Sequence, residues 1–107
     1  MKIEWLYEAQ AEYRSFLLFY KTKVGVKYAK AFADKIQKGV RQLARFPESG
    51  VLRNDTLMGR LGFRALFIEQ YVCVYKIQDN SVLIYHLADG RGNYIYHIFG
   101  MDLDEQS

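Results

Sequence analysis

Residues 62–87 constrain this chain more than any other stretch. Gly62–Ile68 (GFRALFI), Tyr71–Ile77 (YVCVYKI) and Ser81–Leu87 (SVLIYHL) are three apolar-rich runs at hairpin spacing. Runs of this length with turn residues between them read as adjacent antiparallel strands. In the first, Phe63, Ala65 and Phe67 share one face, and Arg64, Leu66 and Ile68 the other. In the second, Cys73, Tyr75 and Ile77 oppose Val72, Val74 and Lys76. Glu69-Gln70 is a tight turn of weak chemistry. Asp79-Asn80 is a better hairpin signal, because both residue types tolerate positive φ. Strands apolar on both faces need cover on both: helices on one, and on the other either a second cover or a concave surface for a ligand or partner.

The helices for the first face precede the sheet. Lys2–Leu6 alternates as a short strand. Glu8–Lys21 follows as a helix with Ala9, Tyr13, Phe16, Leu17 and Tyr20 on one stripe, which Leu18 and Phe19 widen. That width implies a partner. Gly25 breaks the helix, and Val26–Arg45 forms a second, with Ala29, Phe32, Ile36, Val40 and Leu43 inward and a basic opposite side; Pro47 and Gly50 end it. Glu48–Leu61 is a connecting loop with little periodicity, long enough to suggest function. The expected architecture is α+β: an N-terminal strand and an antiparallel two-helix hairpin packed on a small, mainly antiparallel sheet of about four strands, with a short C-terminal segment. One domain over 1–100 suits the 107-residue length. Residues 101–107, with Asp102, Asp104 and Glu105, are expected to form an acidic, disordered tail.

Charge is unevenly placed. From Arg14 to Arg45 nine basic residues face one acid, Asp34, which points either to a polyanionic or acidic partner or to a solvated helix face. No apolar run is long enough to cross a bilayer, and no secretory leader opens the chain, so a cytoplasmic location with no membrane partner is the expectation. The single cysteine, Cys73, reads as a buried core thiol. His86 and His97 lack ligand spacing, so no metal or other cofactor is expected. Phosphate-loop, dinucleotide and nucleophile-elbow motifs are absent from the sequence.

Four residues are candidates for chemistry. Arg64, among apolar neighbours, needs either a carboxylate such as Glu69 or Asp89, or a phosphate held bidentately. Arg91 sits between Gly90 and Gly92 at the end of the sheet, either in an ordinary turn or as an anion contact. Tyr94 can pack or stack on a base, as can Tyr96 and Phe99. His86 is either a satisfied core histidine or a general acid–base. Two arginines and a tyrosine without paired carboxylates suit phosphate or RNA better than a sugar or a peptide bond.

The strand, the basic hairpin ending in Phe46-Pro47-Glu48-Ser49-Gly50, Gly62-Phe63-Arg64 opening the sheet, Tyr71 and Tyr75 on one strand, and the closing Gly90-Arg91 together resemble the RelE/ParE toxin superfamily of bacterial type II toxin–antitoxin systems. The resemblance covers about residues 1–100. It implies a growth-inhibiting toxin neutralised by a cognate antitoxin. One branch is a metal-independent endoribonuclease that cleaves ribosome-bound mRNA through 2′-OH attack. On it Arg64 and Arg91 would stabilise the phosphate, with Tyr94 or His86 moving the proton. Arg53 and Arg60 would contact nucleic acid or target. The other branch inhibits DNA gyrase by binding. A third possibility is a degenerate, inactive toxin. Asp89 stands where many ParE-like members carry histidine, and only Arg53 and Arg60 are basic between Pro47 and Gly62. The long hairpin is a ParE-side feature.

Overall fold

The computed structural model describes residues 1–92 and 94. The order is β1 (Lys2–Trp5), α1 (Tyr7–Phe19), α2 (Val26–Arg41), α3 (Leu57–Arg60), β2 (Arg64–Ile68), β3 (Tyr71–Gln78) and β4 (Ser81–Asp89). The strands form one sheet in the order β1-β4-β3-β2. β2, β3 and β4 are antiparallel neighbours, whereas β1 joins β4 in parallel, Lys2 opposite Ser81 and Trp5 opposite Ile84. The α+β expectation therefore holds. The acidic tail 101–107 and the element expected past Tyr94, with Tyr96, His97 and Phe99, lie outside the described residues.

The α2 stripe packs as its spacing predicts, with Ala29, Phe32, Ile36, Val40 and Leu43 all buried. Phe32, Ile36, Val40 and Leu43 meet Tyr71, Cys73, Tyr75, Val82, Ile84 and Leu87 from one face of the sheet. Phe32 is the hub of the aromatic part of this core: its ring centroid lies 5.0 Å from Tyr71, 5.2 Å from Tyr20 and 5.6 Å from Phe16. Such tilted and edge-on pairs add to the burial of the rings. Cys73 is enclosed here, and burial pushes its thiol up to about 12. At pH 8 it should resist a thiol reagent in the native protein and react fully in denaturant. Rapid labelling without denaturant would show that β3 is not enclosed.

Both helices end differently from the expected bounds. α1 gives way to a wider π turn, Tyr20–Val24, closed by the Gly25 N–H on the Tyr20 carbonyl at 2.7 Å. Gly25 then takes φ 146°, open to glycine but strained for other residues. α2 tightens after Arg41 into a 3₁₀ turn, Gln42–Ala44. Around the hairpin tip Leu18, Phe19, Val24, Val26 and Tyr28 remain exposed, Val26 at 70 %. The breadth of the α1 stripe is thus an exposed apolar surface.

The segment expected as a connecting loop with little periodicity carries built structure. The Thr56 hydroxyl caps α3 by accepting the Gly59 N–H at 3.1 Å and itself donates to the Arg53 carbonyl at 2.8 Å. Val51 exchanges both backbone hydrogen bonds with Ala65, at 2.9 and 3.0 Å, covering part of the free edge of β2. α3 then lies over the second face of the sheet, where Met58 joins Phe63, Ala65, Val72 and Val74, with Leu57, Tyr85, Ala88 and Tyr94 around them. That face is therefore covered in part, not left as an open concave surface.

Candidate functional site

Register decides which candidate residues can meet. Arg64 pairs with Tyr75, while Asp89 pairs with Tyr71. Positions 71 and 75 are about 13 Å apart along an extended strand, and Arg91 lies past the end of β4. The sheet therefore holds its two arginines toward opposite ends.

Arg64 is occupied at its own end. It shares a face with Leu66 and Ile68, which pack under the helices. Its Nη1 donates to the Gly50 carbonyl at 3.0 Å and to the Glu48 carbonyl at 3.3 Å. Of the two alternatives for Arg64, the salt bridge to Glu69 or Asp89 is not formed: Glu69 sits against Lys35, and Asp89 against Arg91. The reason is position. Glu69, at φ 55° in the β2–β3 turn, faces α2 at the far end of the strand from Arg64. Next to Arg64, the buried Tyr75 hydroxyl donates to the Pro47 carbonyl at 2.6 Å and accepts the Gly50 N–H at 2.9 Å. Burial raises the Tyr75 pKa above that of an ordinary phenol, against the pull of the Gly50 N–H. Arg64 and Tyr75 together clamp the 47–50 loop to the sheet.

Arg91 is held by Asp89. Its Nε and Nη2 reach Oδ1 and Oδ2 at 3.0 and 2.7 Å, and its backbone N–H reaches Oδ1 at 2.9 Å. These bonds hold the Asp89 carboxyl below the usual carboxylate range. Tyr94 lies edge-on to Phe67, with centroids 6.3 Å apart, against the second face of the sheet.

His86 sits where β4 is irregular. Val74 opposes His86 but Tyr75 opposes Ile84, so Tyr85 is one residue too many. This bulge turns Leu87 toward the helices in place of the residue that strict alternation would put there. β1 ends at Trp5, which leaves the outer edge of β4 unpaired past Ile84. The Glu12 carboxylate of α1 fills that gap: it accepts the Leu87 N–H at 3.0 Å and lies 3.2 Å from His86 Nδ1. His86 therefore has a carboxylate partner in Glu12, with both side chains partly exposed.

Arg53 pairs with Asp55 at 3.0 Å on the surface, and Arg60 is exposed at the end of α3. Among the described residues, no group of three or more His, Cys, Asp or Glu could hold a metal, and no helix is long and apolar enough to cross a membrane.

Sequence reasoning missed Glu12, Tyr20 and Tyr71 as polar members of this surface. Glu12 directly precedes the core residue Tyr13, an acidic side chain at the margin of an apolar stripe, and that position is the signal that could have found it. The Tyr20 and Tyr71 hydroxyls hydrogen-bond to each other across the hairpin and sheet. Burial, and then the Tyr20 hydroxyl, push the Tyr71 pKa far above that of an ordinary phenol.

Comparison with known proteins agrees with this architecture. The family model described as the ParE toxin of the type II toxin–antitoxin system parDE matches residues 3–94. Toxin ParE3 of Caulobacter vibrioides is 32 % identical over 69 residues, a stretch spanning 64 % of this chain and 66 % of that toxin. A solved structure described as the chromosomal ParDE TA system from P. aeruginosa superposes with a TM-score of 0.70 over 83 % of this chain and 95 % of that one. At 19 % identity that likeness is one of fold.

Proposed function

Because the chain belongs to the ParE toxin family of type II toxin–antitoxin systems, we propose that it is the toxin of such a pair, that a cognate antitoxin neutralises it, and that it acts on DNA gyrase by binding rather than by cutting RNA. The observation that carries this reading is the separate engagement of the four candidate catalytic side chains. Arg64 is held on the 47–50 loop, Arg91 on Asp89, His86 on Glu12 and Tyr94 against Phe67. Metal-free cleavage by a 2′-OH needs a base, an acid and a cationic clamp converging on one phosphate. Binding makes no such demand. It needs exposed apolar and charged surface, which the hairpin tip offers in Leu18, Phe19, Val26 and Tyr28 beside Lys21, Lys23, Lys27 and Lys30.

The test is induction of this chain alone, with labelled thymidine and labelled amino acid followed in parallel. DNA synthesis should fall first, and the purified chain should inhibit supercoiling by gyrase. Prompt arrest of protein synthesis with cleaved ribosomal mRNA would overturn the choice of target. Co-expression of the product of an adjacent open reading frame should restore growth and co-purify with the chain.

A further inference from the structure

Between the end of α1 and the end of β4 lies an open pocket of about 460 Å³. Phe16, Phe19, Tyr20 and Tyr71 supply aromatic walls, and Asp89 and Arg91 a charged rim. A volume of this size falls within the usual range for small-ligand sites. Two features give the pocket polarity. In the Tyr20–Tyr71 hydroxyl pair one phenol donates to the other, and the accepting phenol keeps its own proton to donate elsewhere. At the rim, Arg91 presents its planar fork with Nε and Nη2 on the two Asp89 oxygens. This is the bidentate geometry with which a guanidinium takes any carboxylate or phosphate. The pair is open to water, with side chains 71 % and 37 % exposed, so it is weak and exchangeable.

We propose that this pocket binds an anion borne on an aromatic group, the ring against Phe19 and Tyr20 and the anion on Arg91, and that Asp89 is a built-in competitor for that anion. Asp89 shows where the incoming group lies. Its own backbone belongs to β4, opposite Tyr71, so its carboxylate can release Arg91 without leaving the sheet. The Asp89–Arg91 turn then acts as a threshold, so that only an anion with additional ring contacts displaces the resident carboxylate.

The test is a titration of the purified full chain with phenyl phosphate, phenylacetate and inorganic phosphate, followed by ¹H–¹⁵N NMR. Both aromatic anions should shift the Arg91 Nε–H and the amides of Phe19, Tyr20 and Tyr71, and inorganic phosphate far less. Asp89→Asn should tighten aromatic-anion binding by up to about fivefold, the fold-change equivalent to an exposed ion pair. Arg91→Gln should abolish that binding, and Phe19→Ala should weaken the aromatic probes while leaving inorganic phosphate unchanged. The tighter of the two aromatic probes identifies the anion as phosphate ester or carboxylate. Binding unaffected by Arg91→Gln, no gain in Asp89→Asn, or inorganic phosphate equal to phenyl phosphate would each overturn the proposal. A gain of affinity cannot come from a misfolded variant. The titration reads binding directly and stands whichever synthesis the toxin stops.

Discussion

Gly59→Ala should unfold the protein at a much lower temperature than the same change at any other glycine among the described residues. A Cβ at Gly59 would lie 1.8 Å from the Arg53 carbonyl oxygen and 2.3 Å from its carbon. Those are backbone atoms, so no rotamer change relieves the clash. Either α3 shifts or the turn at 53–56 does. The turn is tied to α3 by the Thr56 hydroxyl, and α3 seats Met58 in the second core, so neither moves alone. Overpacking without an escape costs about 3 kcal/mol or more. In a domain of this size that lowers the melting midpoint by roughly 10–20 °C. Gly92→Ala is the control, since a Cβ there meets nothing within 4 Å. Equal melting curves for the two variants would show that α3 does not pack on the Arg53 backbone.

The second large effect is expected for Tyr75→Phe. The ring stays buried and loses one atom, the hydroxyl that satisfies both the Pro47 carbonyl and the Gly50 N–H. Leaving such groups unpaired in a closed site costs about 1–3 kcal/mol. Arg64→Ala releases the Glu48 carbonyl at an exposed contact and the Gly50 carbonyl at a part-buried one, and should cost less. Because both side chains hold one loop, the two changes should not add. A double-mutant cycle should show coupling of at least about 0.5 kcal/mol. Independent effects would mean that the loop is held elsewhere. The cycle also bears on function: loss of toxicity in Arg64→Ala would then have a structural source, and Tyr75→Phe should reproduce part of it.

Much of this fold was legible because periodicity reports burial directly. The α2 stripe and the two-faced strands at 62–68 and 71–77 rest on spacing alone, and they pack as that spacing predicts. Three features were not legible. The parallel placement of β1 beside β4 depends on a contact between the two ends of the chain, which local pattern does not encode. The bulge at Tyr85 shifts the alternation by one residue inside an otherwise regular run. α3 is four residues long, too short for a periodic signal, although Thr56 ahead of Leu57 and Met58 is a usable cap signature. The candidate site was less legible than the fold. In sequence, Arg64 within its apolar strand and Arg91 between two glycines both read as candidate anion contacts on one sheet. Register separates them, and only tertiary structure shows that Arg64 faces the loop after α2 and Arg91 the aromatic pocket.

The pairing of β1 with β4 also sets a timetable for the chain. Lys2 has no strand partner until Ser81 exists, and Trp5 none until Ile84 does. A nascent chain leaving the ribosome can wind α1 and α2 early, because helical contacts are local. The sheet they close upon is incomplete until β4 has been made, and distant pairings of this kind are the slow ones. Nearly the whole polypeptide must therefore be translated before β1 can take its place, and a product truncated ahead of residue 81 would hold its hairpin over β2 and β3 alone, without Val82, Ile84 and Leu87 beneath it.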